Sequence, residues 1–263
     1  MKILAACGLV LALALPGRAQ DPYADTVVSY VSGTGAGFNT AYDNASAALG
    51  PAITGSDGST PYGVSYPAYQ TSQIVGVGEG GELTVGFDTP ITNDPADHAY
   101  GMDFTIFGNE FFVDGGGGAY VHPGLTVWVS QDNVTYDELR VPNGYGADDS
   151  FPTNPVSQGG NPFLPVNPSL SLSSFDGLTQ AQALSLYDGS GGGASFSISW
   201  AVDADGNPVD LSSISYIEVE GTSGYGYIDA FSRVETIPEP ATILLLLIGA
   251  GGLLCFRRFR KPK

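Results

Sequence analysis

Leu125-Thr126-Val127-Trp128-Val129-Ser130 is the stretch that decides the fold. Leucine and two valines fall on alternate residues, with threonine, tryptophan and serine between them. A two-residue period sends one set to each side of a pleated strand. The rhythm recurs. Leu83, Val85 and Phe87 share one side of Glu82–Phe87, and Met102, Phe104 and Ile106 alternate with Asp103, Thr105 and Phe107. Phe196, Ile198 and Trp200 alternate with serines, and Ser215, Ile217 and Val219 oppose Tyr216, Glu218 and Glu220. Val27 to Tyr30 and Tyr225 to Val234 read as the first and last strands. Gly78 to Gly81, Gln131-Asp132-Asn133 and Asp205-Gly206-Asn207-Pro208 supply the turns. Half-buried strands joined in this way pack face to face. The chain is expected to be all-β, a single jelly-roll-like β-sandwich with long loops. By the same alternation Trp200 belongs in the interior, and Trp128, on the side of Thr126 and Ser130, belongs outside.

Two regions interrupt the pattern. Six prolines between Pro142 and Pro168 mark a long surface excursion. Leu178 to Leu186 is the one plausible short helix, and Gly189 to Gly193 ends it. The Gly115 to Gly118 run reads as a loop tip, without the strand-to-helix context of a phosphate-binding loop. No internal repeat and no second domain stand out.

The two ends differ from the middle. Met1-Lys2, the apolar Ile3 to Leu15 and Pro16-Gly17-Arg18-Ala19 have the parts of a secretory signal peptide, residues 1–19, cut after Ala19. Leu4-Ala5-Ala6-Cys7 fits a lipoprotein box, but most of the apolar run follows Cys7 rather than preceding it, so an ordinary signal-peptide cysteine is the better reading. At the other end, Pro238-Glu239-Pro240 is followed by the uncharged run Ala241 to Phe256 and then by Arg257, Arg258, Arg260, Lys261 and Lys263. The prolines disfavour helix before Ala241. The run can form a helix that satisfies its own backbone within a bilayer, and the cations hold its end in the cytoplasm. At ~1.5 Å per residue it is roughly 24 Å long, a short span against a ~30 Å hydrocarbon core. The expected divisions are therefore 1–19, an ectodomain over 20–237, and a tail over 238–263 with a transmembrane helix at 241–256 and a basic end at 257–263.

This three-part tail resembles the PEP-CTERM sorting signal of Gram-negative bacteria that make extracellular polysaccharide. The resemblance implies recognition of Pro238, Glu239, Pro240, Arg257 and Arg258 by a membrane-embedded exosortase. It also implies transient residence in the inner membrane and removal of the helix, leaving the protein at the cell surface or in the extracellular matrix. A plain single-pass anchor is the alternative.

All 27 acidic residues lie between Asp21 and Glu239, where only Arg140 and Arg233 are basic. Such an anionic span excludes nucleic acid and anionic lipid as partners, and suits either divalent cations or simple solubility. Cys7 and Cys255, the two cysteines, both fall in the end segments, so the exported domain has no disulfide. A span of this size buries enough core to fold without one.

Tyr42-Asp43-Asn44, Ala48-Leu49-Gly50-Pro51, Gly80 to Val85, Asp103 to Glu110, Val127 to Asp132 and Ile228-Asp229-Ala230-Phe231 together resemble a group of uncharacterised bacterial cell-surface proteins that often carry such a tail. The resemblance implies a sandwich placed outside the cell and brings no activity. Tyr227 to Phe231 also resembles the last strand of galactose-binding-like sandwiches, where an acidic residue often meets a structural calcium. Asp103, Asn109, Glu110 and Asp229 are the expected calcium ligands, because a hard cation wants six to eight oxygens. Solvated acids on an outer face are the plain alternative. Asp203, Asp205, Asn207 and Asp210 lack the EF-hand spacing and read as a hairpin loop. His98 and His122 are too few for zinc without carboxylates, and no Gly-x-Ser-x-Gly elbow supports a serine hydrolase. Tyr62, Tyr66, Tyr69, Tyr145 and Tyr225 lie in Gly/Pro-rich stretches where rings can stack on sugars or pack against their own loops. The expected function is a non-catalytic, calcium-dependent glycan-binding or structural protein, with extracellular polysaccharide as its partner. The competing expectation is a secreted glycan hydrolase using a carboxylate pair, for which two carboxyls ~5–10 Å apart in a deep cleft are the requirement.

Overall fold

The structure, a computed structural model, describes residues 22–55, 63–113, 119–142, 144, 146–148 and 151–236. The expected signal peptide and the expected membrane helix at 241–256 lie outside the described residues. Among the described residues no helix is long and apolar enough to cross a membrane.

The alternating segments become strands. In chain order these are β1 (Thr26–Val31), β2 (Val75–Val77), β3 (Glu82–Thr92), β4 (Phe104–Gly108), β5 (Phe111–Phe112), β6 (Ala119–Tyr120), β7 (Leu125–Ser130) and β8 (Asp137–Leu139). Helix α1 (Gln180–Tyr187) follows, then β9 (Ala194–Phe196), β10 (Ala201–Val202), β11 (Ser213–Gly221) and β12 (Gly226–Arg233). Thr179 caps α1, its hydroxyl accepting from the Gln182 N–H while the Gln182 side chain returns to the Thr179 backbone.

Two antiparallel sheets form the expected all-β sandwich. One has six strands in the order β1-β3-β11-β7-β8-β10, the other four in the order β2-β12-β4-β9, and β5-β6 is a separate hairpin. Leu83, Val85, Val127, Val129, Ile217 and Val219 meet Val75, Val77, Phe104, Ile106, Phe196, Ile228 and Phe231 in one apolar core. Phe104, Phe196, Phe231 and Ile217 are wholly buried, and each such side chain contributes ~1.5–3 kcal/mol.

The outer faces differ. That of the six-stranded sheet is polar, and pairing aligns Thr84, Glu218, Trp128 and Glu138 in one row. Trp128 is thus on the outer face, as its alternation requires. That of the four-stranded sheet is covered by the long excursions, so β4 and β12 are buried on both sides. A second cluster, Val64, Phe112, Val166, Phe175, Ala183 and Tyr187, packs beneath this cover.

Trp200 departs from expectation. The strand stops at Phe196, and Ile198–Trp200 is a 3₁₀ turn. The Ser197 hydroxyl accepts from the Ser199 N–H, a local bond that competes with strand pairing. The indole is left half-buried at the edge of the core rather than within it.

Candidate functional site

The four expected calcium ligands do not share one place. Asp103 precedes β4 and Glu110 lies beyond its far end at Gly108, which is itself about 16 Å from Asp103 at strand rise. Asp103 is fully buried and already engaged. Its Oδ1 lies 2.7 Å from His98 Nδ1 and accepts from the Asp94 N–H at 3.2 Å. Its Oδ2 accepts from the Ile198 N–H at 2.7 Å and the Ser197 hydroxyl at 3.4 Å. Asp103 is therefore a structural acceptor that ties the 94–98 turn to the end of β9, and it leaves the metal set.

Glu110 and Asp229 do belong together, with a residue the sequence did not single out. Pairing of β12 with β4 slips between Ile228 and Ala230, so Asp229 sits in a β-bulge, which re-aims its side chain. Its Oδ2 accepts from the Ile53 N–H at 2.7 Å. Burial pushes the Asp229 carboxyl well above the usual carboxylate range, the Ile53 bond pulls it down, and the charge of Glu110 pushes it up again. Asp148 is the missed member. Where β4 and β12 part, its carboxylate accepts from the Asn109 N–H at 3.2 Å and the Tyr227 N–H at 2.7 Å. A β-carbon on Gly108 would collide with Asp148 Oδ1 and approach Glu110 Oε2 to 2.8 Å, so the two carboxylates face the same small space. His122 closes the group, its Nδ1 3.2 Å from Asp148 Oδ2 and its ring among those of Tyr120, Tyr225 and Tyr227. Burial holds the imidazole below its ordinary value, against the opposing pull of Glu110.

The chemistry of this group suits a hard cation, since Glu110, Asp148 and Asp229 offer carboxylate oxygens. Asn109 Oδ1, one residue before Glu110, is buried without a hydrogen-bond partner. Its spacing does not suit one. Among the described residues no three His, Cys, Asp or Glu side chains are arranged to hold a metal ion. As arranged, the trio is a buried acidic cluster. His98 and His122 belong to separate networks. Asp203 caps its own turn, accepting from the Asp205 and Asn207 N–H groups at 3.0 and 2.8 Å.

Of the tyrosines, Tyr66 and Tyr69 are exposed, whereas Tyr225 packs against Phe38, His122 and Tyr227. Tyr62 and Tyr145 lie outside the described residues. The feature that sequence reasoning missed is a cleft of about 750 Å³ between β9 and the 141–173 excursion. Trp200, Met102, Phe151 and Leu170 form its apolar surface, and Ser169, Ser171 and Ser173 bring hydroxyls. Among the described residues none that line it is charged. It depends on the Trp200 turn and on a proline-rich excursion, neither of which has a periodic signal.

No curated protein matches the chain. Residues 236–261 match the family model described as the PEP-CTERM protein-sorting motif. This stretch takes in Pro238, Glu239, Pro240, Arg257 and Arg258, so the chain carries an exosortase sorting signal directing export and surface placement.

Proposed function

We propose that the exported sandwich is a non-catalytic binding protein of the extracellular polysaccharide layer, holding a neutral glycan in the cleft beside Trp200. One observation carries this reading: on a strongly anionic domain, a recess of about 750 Å³ presents an indole and several hydroxyls and, among its described lining residues, no charge. An indole face stacks on the C–H face of a sugar ring, and serine hydroxyls exchange hydrogen bonds with sugar hydroxyls. Paired carboxylates support the hydrolase alternative poorly. Glu110 and Asp148 do face one another, but both are buried, out of reach of a polymer chain.

The test is a glycan array probed with the mature secreted protein and with its Trp200→Ala variant. Binding to uncharged polysaccharide that disappears in the variant supports the reading. Equal binding by both, or release of shortened sugars, sinks it.

Calcium is part of the proposal as a stabiliser. Drawing Glu110, Asp148 and Asp229 together around an ion would neutralise carboxylates buried under loops. A ligand bound only by the folded state adds RT ln(1 + [L]/Kd), about 2.7 kcal/mol at a hundredfold excess. Calcium should raise the melting temperature more than magnesium at equal ionic strength, since magnesium prefers smaller octahedral sites. Glu110→Gln should remove the difference.

A further inference from the structure

Thr236, the first residue of the matched sorting motif, is held by the domain rather than by a linker, because it pairs in an antiparallel bridge with His98. The chain leading to it is fixed too. The Val234 N–H donates to the Asp103 carbonyl at 2.9 Å and the Glu235 N–H to the Phe163 carbonyl at 3.2 Å. One residue separates Thr236 from Pro238, so chain length alone keeps Pro238 within about 7 Å and Pro240 within about 14 Å of Thr236. An enzyme that grips the tripeptide must work against the folded surface at His98.

That surface carries an unusual residue. Tyr100 has φ 57° and ψ 15°, a left-handed conformation that disfavours bulky side chains. The residue is 50% exposed, and among the described residues no ring contact or hydroxyl bond holds it. Core packing therefore does not account for a strained, exposed aromatic two residues from the bridge. Strain of this kind concentrates at functional sites, and rigid aromatics dominate binding hot spots. Asp97 and Glu235 are both exposed beside it in sequence and in bridge register, which disfavours an anionic bilayer as what the ring meets.

We propose that this corner is a docking surface for the membrane-embedded sorting enzyme, with Tyr100 as anchor and Asp97 and Glu235 as an acidic rim facing basic groups on that enzyme. The domain is then part of the sorting signal. The inference rests on the motif match and is independent of what the cleft binds.

The test uses the full chain in a host containing the exosortase, with tail removal followed by mass spectrometry. Tyr100→Gly suits the left-handed backbone, so its melting temperature should stay level or rise. Tail removal should nonetheless slow roughly tenfold, the effect of losing one moderate hot spot. A flexible insert of about 12 residues after Thr236, long enough to free the motif, should slow it as well. Wild-type rates in both variants, or faster cutting with the insert, would overturn the proposal. So would Tyr100-dependent binding of the tail-less protein to anionic vesicles without enzyme, because the ring would then be reading lipid.

Discussion

Replacing Asp103 by asparagine probes both the reassigned residue and the corner it organises. The carboxylate accepts on both oxygens, from His98 and the Asp94 N–H on one and from the Ile198 N–H and Ser197 hydroxyl on the other. An amide has one acceptor oxygen, so either side of the hub must face a donor with a donor. Hydrogen bonds to a buried charge are worth ~1.5–3 kcal/mol each, and a stranded buried donor adds ~1–3 kcal/mol. Asp103→Asn should therefore cost about 3–5 kcal/mol. For a domain of this size each kcal/mol moves the melting temperature by ~2–4 °C, which gives a fall of about 10 °C. Urea unfolding followed by tryptophan emission measures it directly, as a change in midpoint at constant slope. The loss should be the same with calcium or with a chelator present, because Asp103 is remote from Glu110 and Asp229. A cost below ~1 kcal/mol would show that the hub is not buried as described. A calcium response that disappears in Asp103→Asn would return the residue to the metal set.

Other outcomes follow from the same geometry. Burial raises the Asp229 carboxyl well above its unfolded value, so this group's contribution to stability is fully present below the unfolded value and is lost as pH rises through the raised one. Asp229→Asn, which can still accept from the Ile53 N–H, should flatten that decline in a series of urea titrations across pH. Gly108→Ala drives a methyl into the Asp148 carboxylate and should cost ~2–4 kcal/mol in the same unfolding assay through strain and lost Tyr227 and Asn109 bonds. Replacing Pro238, Glu239 and Pro240 by alanine should leave export intact and retain the tail, read as mass through Lys263.

What was legible in the sequence was what repeats locally. The alternation at 125–130 and 215–219 gave β7 and much of β11, and the break after Leu186 matched the end of α1 at Tyr187. Trp200 escaped because one serine hydroxyl turned an alternating run into a 3₁₀ turn. Asp148 escaped for a different reason. It lies in a proline- and glycine-rich excursion with no period, and its partners, the N–H groups of Asn109 and Tyr227, are 39 and 79 residues away. Asp229 was legible as a charge on an apolar strand, which needs a reason to be buried, and Glu110 as the corner that Asp229 could approach. Asp103 met the same criterion, but its reason was a set of backbone and hydroxyl donors rather than a cation.

The strand order sets a timetable for export. β11 and β12 are among the last elements to be made, yet each lies inside its sheet, β11 between β3 and β7 and β12 between β2 and β4. Neither sheet can close until they arrive. Until then only partial pairings are open to the earlier strands, β1 with β3, β8 with β7 and β10, and β4 with β9. By the time residue 233 has emerged, the sorting motif is next through the channel. In a chain exported from its N-terminus, the sheets would then be completed only as the sorting motif arrives, so that folding of the domain and engagement of the sorting machinery would share one short interval.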